Sequence, residues 1–217
     1  HGVGAMAIAG LAITFPLMNL IIAFCTLVGV GAATISSIYM GLKDIQRATF
    51  VLHNAAILLL VNGLLVTIVT LIFLDPILLF FGASHETLPY ARDFMQVILI
   101  ANPIAYLFVG LNNLMRATGY PKKAMLSSFL TVAVNVIVAP IFIFVLDWGI
   151  RGAAMATAIA QLTGLVWVLA HFLNKKSFIS FKKGCFKLHR RIIASILSIG
   201  MSPFLMNSCA CIVVIII

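Results

Sequence analysis

Six long apolar stretches, separated by short polar loops, most strongly constrain how this sequence can fold. A helix needs about 20 mostly apolar residues to cross the hydrocarbon core of a bilayer. The sequence therefore predicts an all-α fold, a polytopic transmembrane helical bundle of about six spans. The stretches run from about Ala5 to Met40, Val51 to Phe81, Phe94 to Met115, Ala124 to Leu146, Gly152 to Leu173, and Ile192 to the end of the chain.

The composition excludes a soluble globular domain. Hydrophobic residues make up 63% of the chain and charged residues 9%, whereas about a quarter of the residues of an ordinary globular domain are charged. The net charge of +9 would suggest nucleic acid as the partner of a soluble protein. Here the basic residues lie between apolar stretches, so the predicted partner is the lipid bilayer, with no nucleic acid.

Positive charge alternates from loop to loop. Twelve of the 14 Lys and Arg residues fall in or beside the loops 41–47, 116–123 and 174–191. The intervening loops hold only Arg92 and Arg151. The positive-inside rule places the three basic loops in the cytoplasm. The chain then begins outside, and we expect one further span upstream of residue 1.

The spans carry almost no ionisable side chains, which argues against an enzyme. Asp75 approaches the outer end of the second span, and the Asp75-Pro76 pair is interpreted as a helix terminator. No constellation of Ser, Cys and His suggests a hydrolase, and no Gly-rich phosphate loop or metal-ligand spacing is present. We therefore predict no catalytic residues, no cofactor and no metal.

Proline and asparagine are the unusual residues of the spans. Pro16, Pro103, Pro140 and Pro203 are predicted to kink their helices and to free a carbonyl one turn earlier. Such residues are typical of transporters, although kinks that only improve packing are an equal alternative. Asparagines in hydrocarbon need partners, so we expect some to join helices and others to line a wet, uncharged cavity. They are Asn19, Asn62, Asn102, Asn112, Asn113, Asn135 and Asn207.

Several segments resemble the multidrug and toxic compound extrusion (MATE) family, in the order and spacing of that family. They are GVGAMAIAGLAITFPLMNL, GLNNLMRATGYPKKAM, NVIVAPIFIF followed by WGIRGAAMATAIAQ, and SIGMSPFLMN. The chain is most similar in character to the bacterial branch that contains the DNA-damage-inducible relatives. The resemblance implies helices two to seven of a twelve-helix, two-lobe transporter. Residues 1–173 would be helices two to six, 174–191 the cytoplasmic inter-lobe linker, and 192–217 the truncated first helix of the C-terminal lobe.

The function implied by the resemblance is secondary active export of amphipathic or cationic drugs, in antiport with Na⁺ or H⁺. The implied location is the bacterial cytoplasmic (inner) membrane. Asn112, Asn113 and Asn135 are the candidate substrate-facing residues. A lipid-linked oligosaccharide flippase of the same superfamily is the alternative, but a flippase for anionic headgroups should line its cavity with Arg or Lys. A non-transporting membrane protein would not explain the shared motifs.

The resemblance also implies a cation site. Its members here would be Asn135, Thr157 and the backbone carbonyl at Ala153. Close relatives often carry Asp immediately before the proline of the fifth helix, where this chain has Ala139. With neutral oxygens alone, the coupling ion stays open between Na⁺ and H⁺. We expect any ion held here to depend on an acid in the upstream helix.

Overall fold

The computed structural model describes residues 5–84, 86–146, 148–174, 177–181 and 189–216, with side chains between residues 12 and 211. These residues form seven α-helices, and no strand occurs among them. The helices are α1 Ala5–Gly41, α2 Ile45–Ile72, α3 Leu74–Phe80, α4 Leu88–Ala117, α5 Pro121–Pro140, α6 Gly149–Leu173 and α7 Arg190–Ile216. A π-helical turn, Ile141–Val145, continues α5 directly after Pro140.

Six of the helical segments are long and apolar enough to cross a membrane. They correspond one to one with the six predicted spans and include every long helix of the described chain. The all-α, multi-span prediction is confirmed. The division into a lobe, a linker and a second-lobe helix stays a prediction, although α7 packs more extensively on α1 than on any other helix.

The predicted end of the second span was wrong. The span ends at Ile72 rather than near Phe81, and the separate short helix α3 follows it. Asp75 and Pro76 therefore begin a helix rather than ending one. Proline is tolerated in a first turn, where its missing N–H would have no intrahelical partner. Arg92 Nε lies 3.3 Å from Asp75 Oδ1, so this carboxylate pairs with the start of α4.

Helices α1 and α4 form the centre of the bundle. Helix α1 contacts α2, α4 and α7, whereas α4 contacts α1, α2 and α6. Helix α5 lies at the periphery against α6, and only Ala124 and Ser127 on it are buried. Its large exposed side chains include Phe129 and Val136. Because a large, continuous exposed apolar face is favoured by apolar surroundings, the outer face of α5 fits a lipid-facing surface.

The α1–α7 seam depends on glycine. A Cβ built on Gly200 of α7 would overlap the carbonyl oxygen of Leu27 on α1, and a Cβ on Gly31 would overlap that of Ile196. The two backbones are thus in direct contact, as small residues allow in membrane bundles. The small residues around Gly31 therefore form a packing seam, and the partner of this seam is α7.

Aromatic and histidine rings cluster at the end of the bundle that contains the basic loops. The Tyr120 ring, just before α5, lies 4.5 Å from the ring of His171 in the last turn of α6. The Phe50 ring near the start of α2 lies 5.1 Å from that of His189, just before α7. The α1–α2 loop, the α4–α5 loop and the segment before α7 therefore share one end of the bundle.

The opposite end carries Arg151, at the start of α6. Its guanidinium Nη2 lies 2.7 Å from Asp93 Oδ1 at the start of α4. The loops that carry Lys43 and Lys122 lie at the other end of these helices, so the predicted separation of these lysines from Arg151 is confirmed. Lys182, which was expected beside the two lysines, lies outside the described residues.

Candidate functional site

A cavity of about 350 Å³ lies between α1, α4 and α6. A volume of this size is within the range of small-molecule sites, which are mostly apolar with a few placed polar groups. Its walls have that character: aliphatic side chains and one aromatic ring surround two amides, a hydroxyl and a thiol. The lining residues are Met18, Ile21, Ile22, Cys25, Ile98, Asn102, Ala105, Tyr106, Val109, Thr157 and Gln161.

Tyr106 is held in place by a hydrogen bond to α1. Its hydroxyl donates to the carbonyl oxygen of Ile21 at 2.5 Å, and only 2% of the residue is exposed. The polar end of the side chain is thus satisfied by protein. The phenol ring is therefore the part of this residue that can serve the cavity lining, and aromatic rings attract cations through their quadrupole.

Asn102 belongs to a network that joins α4 to α2. Its Nδ2 donates to Thr67 Oγ1 at 3.2 Å and approaches the Gly63 carbonyl oxygen at 3.5 Å. Thr67 Oγ1 in turn donates to the carbonyl oxygen of Leu99 at 3.1 Å. Leu99 lies four residues before Pro103, whose missing N–H leaves that carbonyl without its helical donor. The carbonyl freed by Pro103 is therefore satisfied by protein rather than by a guest.

The three residues of the predicted cation site lie together. Asn135 Nδ2 donates to Thr157 Oγ1 at 3.2 Å, and Thr157 Oγ1 donates to the Ala153 carbonyl oxygen at 3.0 Å. Thr157 also lines the cavity, which places this chain of hydrogen bonds at the cavity wall. The structure thus brings the Asn135 and Thr157 side chains into contact between α5 and α6.

None of the three substrate candidates is among the residues that line this cavity, and only Asn135 bonds to one of them, Thr157. Asn112 is 4% exposed, and its Nδ2 donates to Ser127 Oγ at 2.6 Å and to the Ala124 carbonyl oxygen at 3.0 Å. These bonds join α4 to α5. Asn113 is half-buried and faces α1. A Cβ atom added to Gly29 of α1 would lie 3.5 Å from Asn113 Nδ2.

The four prolines occupy different positions in their helices. Pro16, Pro103 and Pro203 lie inside α1, α4 and α7, and Pro140 is the last residue of α5 before the π-helical turn. A π-helical turn at that point is a local change of helical pitch, as expected where proline interrupts the hydrogen-bond ladder. The kink assigned to each proline stays a prediction.

No carboxylate or basic side chain lines the cavity within the described part of the chain. The same residues hold no cluster of three or more His, Cys, Asp or Glu side chains that would suit a metal ion. The polar ligands on offer are amide, hydroxyl and carbonyl oxygens. Such hard, neutral donors suit an alkali cation better than a proton, which needs a basic group.

Among the polar residues that line the cavity, reasoning from the sequence missed Tyr106 and Gln161. Tyr106 lies four residues after Asn102 on α4, and Gln161 lies four residues after Thr157 on α6. Residues spaced by four share a helix face. Two polar pairs at this spacing, each in an apolar span, would have indicated which faces of α4 and α6 meet at a polar cavity.

Comparison with known proteins identifies the family of this chain. The MatE family model matches residues 1–141, which is more than half of the chain. The chain belongs to the MatE family. Its membership confirms the resemblance drawn from the motifs. The relatives described below are exporters and transporters, so the prediction that the chain is not an enzyme is also confirmed.

Curated MatE relatives match almost the whole chain. The multidrug export protein MepA of Staphylococcus aureus (strain NCTC 8325 / PS 47) is 31% identical over 200 residues, covering 92% of this chain and 44% of MepA. MepA of Staphylococcus haemolyticus (strain JCSC1435) is 33% identical over 199 residues, with the same coverage. The chain thus spans less than half the length of these relatives. With six apolar spans and bacterial relatives, it is a multi-pass protein of the bacterial cytoplasmic membrane.

Solved MatE structures share its fold. The chain superposes with a TM-score of 0.91 and 27% identity on the inward-facing conformation of a multidrug resistance MATE family transporter of the MOP superfamily. That match covers 96% of this chain and 48% of the solved one. On the outward-facing conformation of a multidrug resistance MATE family transporter of the MOP superfamily, it superposes with a TM-score of 0.88 and 28% identity. That match covers 95% of this chain and 46% of the solved one. The chain therefore superposes about equally well on the two solved conformations.

Proposed function

We propose that this chain forms part of a secondary active multidrug exporter, which moves amphipathic or cationic drugs out of the cell in antiport with Na⁺ or H⁺. The similarity over 92% of the chain to export proteins that carry multidrug names is the observation on which this proposal depends. The near-identical match to inward- and outward-facing structures supports a lobe that moves as a rigid body during alternating access.

The chemistry of the cavity supports a cationic or neutral guest. Its walls are apolar, and it offers the Tyr106 ring and the amides of Asn102 and Gln161, with no basic side chain to repel a cation. Aromatic faces and amide oxygens stabilise organic cations without requiring a strict geometry. A flippase for anionic headgroups needs Arg or Lys in its cavity, and their absence from the described lining favours the exporter.

The transport proposal is tested by filling the cavity. Ala105 lines it between Asn102 and Tyr106 on α4, so Ala105→Phe in the full-length protein should occupy space that a bulky guest needs. Cells that lack their own pumps should retain ethidium several-fold more with this variant than with the unmodified protein. Ala170→Phe, at an exposed position on α6, adds the same ring outside the cavity and is the matched control.

Two outcomes would contradict this proposal. One is an unmodified protein, verified in the membrane, that lowers the retention of none of several cationic dyes. The other is equal efflux by the Ala105→Phe and Ala170→Phe variants, which would mean that dyes do not pass through this cavity.

For the coupling ion, we propose that Asn135, Thr157 and the Ala153 carbonyl form part of the cation site. Asn135 Nδ2 is used by Thr157, so its Oδ1 is the amide atom free to face a cation. Sodium can use these neutral oxygens. A proton would need a carboxylate from a part of the protein outside this chain, because Ala139 supplies none. Among the substrate candidates, we retain Asn113 and Asn135, whereas the bonds of Asn112 support a role in joining α4 to α5.

Substitution of the proposed ion ligands should separate ion binding from helix packing. Asn135→Ala and Thr157→Ala should raise the sodium concentration needed for half-maximal transport, since each removes one oxygen ligand. Asn62→Ala is the matched control. Asn62 also joins two helices, through a 2.7 Å bond from its Nδ2 to the Phe24 carbonyl oxygen, and neither residue lines the cavity. An unchanged sodium dependence in both ligand variants would show that Asn135 and Thr157 only join helices.

A further inference from the structure

A second cavity, of about 320 Å³, opens at the basic end of the bundle. It lies where the end of α1, the start of α2 and the start of α7 meet, and it shares no residue with the cavity described above. Its walls combine two guanidinium groups, three rings and one aliphatic side chain. The lining residues are Tyr39, Arg47, Phe50, His189, Arg191 and Ile192.

Arg47 is oriented at this cavity by two neighbours. Its Nε lies 3.1 Å from Asp44 Oδ2, and its guanidinium carbon lies 5.8 Å from the centre of the Tyr39 ring. A guanidinium carries five N–H donors, and the Asp44 contact uses the one on Nε. The group is thus held at the wall of the cavity while most of its donors stay available.

Arg191 brings a second positive charge to the same space. It is the second residue of α7 and is exposed, and none of the ion pairs in the described part of the chain includes it. The first turn of a helix adds partial positive charge from its free N–H groups. Two arginines and the starts of α2 and α7 therefore meet at one cavity, and Asp44 is the only acid beside them among the residues that the structure describes.

We propose that this cavity binds the phosphodiester headgroup of an anionic phospholipid from the cytoplasmic leaflet. Guanidinium groups bind phosphate oxygens through paired N–H donors. Basic pockets between helices at the cytoplasmic ends of spans are positioned at the level of lipid headgroups. The mixed lining also fits a lipid better than a dissolved anion, because Phe50 and Ile192 offer apolar surface to the glycerol and the first acyl carbons.

The competing interpretation is that these arginines act only as topology signals spread over the interface. Arg190 separates the two interpretations. It is adjacent to Arg191, carries the same charge and is likewise exposed, but it does not line the cavity. A diffuse surface effect should depend equally on both residues, whereas a defined site should depend on Arg191.

The experiment uses the full-length protein, purified in detergent and offered phosphatidylglycerol or phosphatidylcholine in mixed micelles. Native mass spectrometry counts the lipids that each protein molecule retains. We expect one phosphatidylglycerol to be retained in preference to phosphatidylcholine. Arg191→Gln should weaken this retention about fivefold, as expected for one basic residue at a charged membrane surface, and Arg190→Gln should leave it unchanged. Arg47→Gln should also weaken the retention of phosphatidylglycerol. It removes the ion pair with Asp44 as well, so the test of the proposal depends on Arg191→Gln.

Three results would overturn the proposal. Equal retention of the two lipids would remove the requirement for an anionic headgroup. Equal loss with Arg190→Gln and Arg191→Gln would assign the effect to diffuse surface charge. Displacement of phosphatidylglycerol by inorganic phosphate at millimolar concentration would assign the cavity to a soluble anion. Retention that withstands inorganic phosphate supports the lipid.

Discussion

The network around Pro103 permits a quantitative test of how a membrane helix tolerates proline. The Leu99 carbonyl loses its helical donor to Pro103 and receives the hydroxyl of Thr67 instead, at 3.1 Å. We predict that Thr67→Val, which keeps the shape of the side chain and removes the hydroxyl, destabilises the chain. The reason is that a carbonyl in an apolar interior is left without a donor.

The magnitude follows from the two bonds that are lost. Thr67 donates to Leu99 and accepts from Asn102 Nδ2 at 3.2 Å. Interhelical side-chain bonds in membrane proteins average about 0.6 kcal/mol and reach about 1.7 kcal/mol. Two such bonds give an expected loss of about 1–2 kcal/mol. Thr67 is only 8% exposed, so water is poorly placed to replace the missing donor.

A double-mutant cycle isolates the contribution of the proline. Pro103→Ala restores a backbone N–H that can donate to the Leu99 carbonyl, so the carbonyl no longer depends on Thr67. We therefore expect Thr67→Val to cost about 0.6 kcal/mol in the alanine background, the share of the Asn102 bond alone. The assay is unfolding by sodium dodecyl sulfate in mixed micelles, followed by circular dichroism. Equal effects of Thr67→Val in the two backgrounds would refute the reasoning, because the hydroxyl would then not compensate for the proline.

Two further predictions concern the α1–α7 seam and the orientation of the chain. Gly200→Ala should destabilise the protein by about 1–3 kcal/mol in the same unfolding assay, since its Cβ would overlap the α1 backbone. Gly41→Ala, whose Cβ would meet open space, should be nearly neutral, and equal effects of the two would contradict the close approach. In a cysteine-free background, Arg151→Cys should react with a membrane-impermeant maleimide on intact cells and Lys43→Cys only after lysis. Labelling of both from one side would contradict the positive-inside assignment.

The candidate site shows where sequence reasoning reached its limit. The apolar spans made the asparagines conspicuous, because an amide in hydrocarbon needs a partner. The sequence could not say which partner each amide finds. Asn112 was predicted to face substrate, yet its amide bonds Ser127 and Ala124 on the neighbouring helix. Asn102 was noted only as one more asparagine in a span, yet it lines the cavity.

The sequence by itself determined the number of spans, their order and which of the described loops share an end of the bundle. The bilayer imposes a minimum apolar length on each span, and every backbone group must be satisfied within its helix, so length and charge suffice for these features. The motifs of the spans also indicated the family. Each of these features depends on a short motif or on the total apolar length or charge of one segment. Predicting them therefore requires no knowledge of how the helices pack.

Only the tertiary structure decided where helices meet and which polar groups share a space. The pairing of Asn135 with Thr157, the contact of Gly200 with the α1 backbone and the cavity beside Tyr106 all depend on helix rotation and crossing. In an almost wholly apolar span, several faces are equally able to contact lipid, so hydrophobic periodicity does not specify rotation. Close packing and the satisfaction of a few buried polar groups specify it instead, and both depend on residues that are far apart in the chain.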